Sequence, residues 1–223
     1  MSMSLYEEAL TASAPDPASA VWVQWDDGHR EQLDIARFTG GLDDADRALL
    51  QRLDGPTIDI GCGPARVVVA VHASGTPALG VDVSPAAVRL ARARGAPAIV
   101  ADVLDLPPTL GPFRHALLLD GNIGIGGDPA RLLRCIRSVL TPDGQVHVEL
   151  APPGSRDGSW RARLERAGRT GAWFDWSRVT AGSGALETEA ARAGLGIHEQ
   201  WQVAGRWFAA LCSTTRPVTA AAS

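Results

Sequence analysis

Four aspartates close apolar runs in this chain: Asp59 in "TIDI", Asp82 in "ALGVDV", Asp102 in "AIVAD" and Asp120 in "HALLLD". After the first comes a tight turn, Gly61-Cys62-Gly63-Pro64, opening into a helical-looking segment. Glycine at such a turn permits positive φ and close approach of a ligand to the backbone. A ring of carboxylates around that turn suits a cation: an amino group, a sulfonium, an adenine amine. Asp82 lies 21 residues beyond Gly61, where a carboxylate can accept both hydroxyls of a ribose. Phosphates fit badly. A P-loop needs a lysine, and all 21 basic residues are arginine. A dinucleotide fingerprint needs a small residue where Arg66 stands, and Pro64 removes an N–H that would cradle a pyrophosphate.

The elements that must position these groups alternate along the chain. Strands are expected at 57–60, 78–83, 98–102, 115–120 and 145–150, with helices at about 64–73, 85–94 and from Pro129 to near Leu140. Ser84-Pro85 and Asp128-Pro129 are good helix starts. This alternation predicts right-handed βαβ units and a doubly wound, mostly parallel α/β sheet. Its ligands bind at the carboxyl ends of the strands, where all four aspartates fall. Two last runs, 197–203 and 206–213, are joined only by Ala204-Gly205 and must be antiparallel. Upstream, 5–10 reads as a short helix, "VWVQWDDGHREQL" as a hairpin and 43–53 as an amphipathic helix. The expected organisation is an N-terminal extension over 1–42, a main domain over 43–213 and a loose tail over 214–223.

Composition narrows the class. A net charge of −4 with no basic stripe argues against a nucleic-acid partner. No apolar run approaches the length of a membrane span, and "MSMSLYEEAL" lacks the apolar core of a secretory signal. Cys62, Cys135 and Cys212 are too far apart for a metal-ligand spacing or a disulfide framework, so no metal and a reduced, cytoplasmic setting are expected.

Residues 57–150 resemble class I S-adenosylmethionine-dependent methyltransferases. "DIGCGPA" stands for the family's acid-x-G-x-G-x-G turn, "GVDVS" for its ribose acid, "ADVLDLP" for its adenine-contacting acid, and "LLLDGN" for the strand end facing the methionine part of the cofactor. The terminal antiparallel pair resembles the family's reversed last strand in a seven-stranded, Rossmann-like sheet. The resemblance implies S-adenosyl-L-methionine as cofactor, held by Asp59, Gly61, Cys62, Gly63, Asp82, Val83, Asp102, Val103, Asp120 and Asn122. One departure is Ala65, where the family has its third glycine; a methyl there would narrow the cofactor's approach, but alanine is the smallest replacement and is read as tolerable.

Catalytic candidates come from loops and strand ends. Glu149 closes the strand at 145–150 and is either a general base or a solvated strand end. Asp120 is a second candidate for the proton. Asn122, in "GNIGIGG", either contacts cofactor or substrate or serves turn chemistry. Trp173 and Trp176 read as walls of an acceptor pocket or as plain core, with Asp175 and Arg178 beside them. Tyr6 and His29 lie in the N-terminal region, which covers the site in many such enzymes. His147 reads as a core histidine and Cys62 as a small buried residue. The expected function is methyl transfer to an uncharged or modestly polar small molecule, with O-, N- and C-nucleophiles left open. No [D/N]-P-P-[Y/F] follows the fourth strand of the series, which argues against nucleic-acid methylation. A catalytically degenerate cofactor binder, supported by Ala65, is the alternative, and a dinucleotide-dependent oxidoreductase comes third. Oligomeric state is left open.

Overall fold

The computed structural model describes residues 4–12 and 20–214. The tail expected to be loose falls, beyond Thr214, outside the described residues. The chain begins with α1 (Ser4–Leu10), the hairpin β1 (Val21–Trp25) and β2 (Arg30–Gln32), then α2 (Ile35–Thr39) and α3 (Asp44–Leu50). The alternating run follows: β3 (Thr57–Ile60), α4 (Arg66–Ala73), β4 (Ala78–Asp82), α5 (Pro85–Ala93), β5 (Ala98–Val100), β6 (Phe113–Leu118), α6 (Pro129–Arg137) and β7 (Leu140–Leu150). The remainder is β8 (Gly158–Arg166), β9 (Arg169–Thr170), β10 (Phe174–Arg178), α7 (Ala185–Arg192), β11 (Leu195–Val203) and β12 (Arg206–Ser213).

Seven strands form one sheet in the order β11-β12-β7-β6-β3-β4-β5. The five from β3 to β7 are parallel, and β12 runs antiparallel to both β7 and β11. This is the doubly wound sheet with a reversed last strand that the sequence predicts. All four residues of β3 are buried, as a central strand covered on both faces requires. Helix starts are set by side chains: Ser84 accepts from the Ala87 N–H ahead of α5, and Asp128 accepts from the Arg131 N–H ahead of α6, each with proline at the first position. Strand order reverses between β3 and β6, which opens a crevice at their carboxyl ends.

A second sheet was not expected. The N-terminal hairpin does not stand alone: β1 pairs with β8, and the order β10-β8-β1-β2, with β9 on β8, makes five antiparallel strands. Residues 158–178, read from sequence only as a mixed tryptophan-containing region, are therefore strands. The signal was present: Ala162 and Leu164 are buried between outward arginines at 161 and 163, a period of two. Ala167-Gly168, both at positive φ, close a tight hairpin. Apolar side chains of this sheet pack on Leu5, Tyr6 and Leu10 of α1.

The "GNIGIGG" loop joins the two sheets. Ile125 bridges to Trp176, and the Ser159 and Ser177 hydroxyls both donate to the Gly127 carbonyl. A Cβ on Gly124 would collide with the Ser177 carbonyl, and one on Gly127 would lie 2.8 Å from the Asp175 Cβ. The glycines let the loop pass under β10.

Candidate active site

Between the parallel rim and the antiparallel sheet lies a cavity of about 640 Å³. Gly61, Cys62, Gly63, Asp82, Val83, Asp102, Val103, Asp120, Asn122 and Glu149 all line it. The tips of β3, β4, β5, β6 and β7 thus meet at one place. Asp82 is 7% exposed, and each of its oxygens accepts one backbone N–H at 2.8 Å, from Gly63 and from Ser84. Each oxygen keeps lone-pair capacity for a further donor. Asp102 accepts from the Leu104 N–H with Oδ1 only. Val83 is 46% exposed, so the cavity has apolar surface beside these acids. Burial raises the carboxyl of Asp82 above its ordinary range.

Asp59 is placed differently. It is 5% exposed and lies outside the cavity lining, beneath the turn. Burial pushes its carboxyl up to about 8, reinforced by the charges of Asp120, Asp82 and Asp46 and opposed by Arg66. It does not touch the cavity, contrary to the contact the resemblance implies. Cys62 packs its thiol into the space over Gly80, where a Cβ would lie 2.6 Å from the sulfur, and burial raises that thiol. Asn122 donates to the carbonyls of Ile60 (2.8 Å) and Gly61 (3.0 Å), so its amide nitrogen braces the glycine turn.

The general base expected at Glu149 meets a different geometry. Arg206 forks onto it at 2.9 and 2.6 Å, and its Oε2 also accepts the Asp120 N–H at 2.7 Å. Asp120, at φ 53, is held by Arg37 at 2.6 Å and by Arg66 at 2.8 and 3.2 Å. Both carboxylates are committed to arginine and are poorly placed to take a proton. Asp46, 1% exposed on α3, binds both Arg66 and Arg206 and completes the network with Asp43. Burial alone would raise Asp46 and Asp120. The bonds to arginine outweigh it, and both carboxyls lie below their ordinary value. Sequence reasoning missed Arg37, Arg66 and Arg206 in this role, because their partners stand 20 to 163 residues away.

Ala65 carries the strain of the missing glycine, at φ 62 and ψ 42. Its methyl group is 1% exposed, packs among Val68, Val88 and Ala91, and is absent from the cavity wall. It does not narrow the cavity.

The opposite wall comes from the antiparallel sheet and the N-terminal helices. Tyr6 covers the glycine turn: a Cβ on Gly63 would lie 3.2 Å from its hydroxyl. Burial, and then the charge of Asp82, raise that phenol. Glu7, next to it, accepts from the Ser84 hydroxyl (2.8 Å) and the Ala86 N–H (3.2 Å), tying α1 to the start of α5. Trp25, Phe38, Phe174, Trp176, Glu31 and Arg178 line the cavity. Trp173 and Asp175, expected beside Trp176, do not. Trp173 lies against Arg163 and Arg161, with guanidinium carbons 4.7 and 5.7 Å from its ring, and Asp175 is exposed. Alternation along β10 brings Phe174 and Trp176 to the cavity and turns Asp175 away. His29 is exposed and lies outside the lining. His147, 1% exposed, bonds His115 at 3.0 Å and belongs to the core, as expected.

Residues 58–144 match the model of a methyltransferase domain. The fold resembles that of a SAM-dependent methyltransferase from Bacteroides fragilis in complex with S-adenosyl-L-homocysteine (TM-score 0.77, 19% identity, covering 93% of this chain and 92% of that one). It also resembles the CcbJ methyltransferase of Streptomyces caelestis (0.61, 14%, 80% and 92%). A third is CalS10, an amino pentose methyltransferase from Micromonospora echinaspora (0.57, 19%, 83% and 100%). No curated protein matches the sequence. The chain thus has the fold of class I S-adenosylmethionine-dependent methyltransferases. Among the described residues no helix is long and apolar enough to cross a membrane.

Proposed function

We propose that this protein transfers a methyl group from S-adenosyl-L-methionine to a small organic molecule bound under the antiparallel sheet. The observation that carries this reading is the pair Asp82 and Asp102, whose oxygens keep room for further donors beside the exposed Val83 in one cavity. Two ribose hydroxyls fit Asp82, an exocyclic amine fits Asp102, and an apolar ring face fits Val83. Carboxylates along this rim repel a pyrophosphate and attract a cation. The bound cofactor would supply an electrophilic methyl group. The chain's own part is to hold it by Asp82 and Asp102, to cover it with Tyr6, and to exclude water with Trp25, Phe38 and Trp176. Asn122 keeps the turn in shape. Glu149 and Asp120 are clamps within the arginine network rather than bases. The acceptor side is mainly aromatic and apolar and lacks a basic run, which supports a small molecule. The structurally similar CalS10, an amino pentose methyltransferase, supports the same class.

Calorimetry tests the reading. S-adenosylmethionine and S-adenosylhomocysteine should bind, whereas NAD and ATP should not. Binding of NAD with none of S-adenosylmethionine would overturn it.

A further inference from the structure

The antiparallel sheet brings two charged side chains to the cavity, Glu31 from β2 and Arg178 from β10. They face each other: Arg178 Nη2 donates to both oxygens of Glu31, at 3.1 and 3.0 Å. Every hydrogen bond of Arg178 runs from that one nitrogen, so Nε and Nη1 are unspent among the described residues. The guanidinium carbon lies 5.4 Å from the Trp25 ring, which steadies it. Both partners keep solvent access, 41% for the Glu31 side chain and 29% for Arg178. The contrast with the rim is sharp, because Arg66, Asp120 and Glu149 also line the cavity but are held by fixed partners.

We infer that the Glu31–Arg178 pair is the polar recognition element for the methyl acceptor, and that it selects an aromatic molecule with a neutral substituent that both donates and accepts, a phenolic hydroxyl or a carboxamide. The inference rests on the methyl-transfer reading of the cavity. The pair is neutral as a unit. An anionic substituent would reach Arg178 only beside the Glu31 carboxylate, and a cationic one would reach Glu31 only beside the guanidinium. A group that donates to Glu31 and accepts from Arg178 meets neither penalty. Phe174 and Trp176 supply the apolar surface for its ring. His29 is exposed and lies 3.9 Å from Glu31.

The test titrates benzamide, benzoate and benzylamine into the full chain saturated with S-adenosylhomocysteine. In the natural protein, benzamide should bind at least tenfold more tightly than either charged probe. Glu31→Gln frees the guanidinium, so the ranking should shift to benzoate. Arg178→Gln leaves the carboxylate alone, so it should shift to benzylamine. Circular dichroism and S-adenosylhomocysteine affinity report whether each variant is folded. An unchanged ranking in both folded variants overturns the inference, as does a failure of all three probes to bind the loaded protein. If S-adenosylhomocysteine itself does not bind the natural protein, the methyl-transfer reading fails first, and the two failures are told apart.

Discussion

The two walls of the cavity are built by different means. The rim is made of strand ends following one another from Gly61 to Glu149, and its groups are backbone N–H donors and carboxylates. The opposite wall is made of strands from two distant segments, 21–32 and 158–178, and its groups are aromatic rings with one ion pair. A parallel sheet delivers every strand end to the same edge, so recognition of one constant ligand is written locally. An antiparallel sheet presents every second side chain of several strands, so its pocket is changed by substitution without disturbing the rim.

The largest expected effect is on the network beneath the rim. Arg66→Ala removes the partner of Asp46 and Asp120 and leaves buried charge uncompensated, which should cost about 3–5 kcal/mol in urea unfolding. A loss under about 1 kcal/mol would show that water already reaches the cluster. Asp82→Ala comes next. It should weaken S-adenosylhomocysteine binding by roughly tenfold to a hundredfold or more, since each charge-assisted bond contributes about 1.5–3 kcal/mol. Part of the loss comes from releasing the Gly63 and Ser84 N–H groups, and unchanged affinity in a folded variant would place the ribose elsewhere.

On the opposite wall, Trp176→Ala should reduce methyl transfer to the acceptor about tenfold while sparing cofactor affinity, as expected for loss of a buried aromatic contact. Trp173→Ala, on the far face, should change transfer by less than about twofold, within the scatter of surface substitutions. Equal effects would mean that Trp173 also reaches the acceptor. A pH titration separates the walls in another way. The Asp59 carboxyl sits at about 8 in the free protein, and a cation bound nearby favours its ionised form. Cofactor binding at pH 7 should therefore release protons, and affinity should fall as pH drops below about 8. Equal binding enthalpies in buffers of different ionisation enthalpy would contradict this. The smallest effect belongs to Ala65→Gly. Relief of the left-handed strain should stabilise the fold by about 1 kcal/mol, with cofactor affinity within a few fold. A gain from undetectable binding to micromolar affinity would revive the degenerate-binder reading.

Much of the rim was legible. Each βαβ unit carries its own punctuation in Gly61, Ser84-Pro85 and Asp128-Pro129, and strand ends mark where its acids fall. The hairpin at Ala204-Gly205 was legible for the same reason, because both residues take the positive φ that such a turn requires. Glu149 shows where this reasoning stops. Its position at a strand end was plain, but Arg206, 57 residues on, decides that it is a clamp. Trp173 shows the same limit: its type suggested a pocket wall, and only its packing on Arg161 and Arg163, away from the cavity, settled its place. Residues 158–178 had a period-two signal without any indication of a partner strand.

The sequence alone determined the parallel sheet, its reversal and the acids at its strand ends, because helix caps, turns and apolar periodicity act within a few residues of one another. The tertiary structure decided which carboxylates are spent on arginine, which aromatic rings face the cavity, and that the first thirty residues meet β8. Those outcomes depend on pairings across 12 to 163 residues, where distance along the chain carries no information about distance in space.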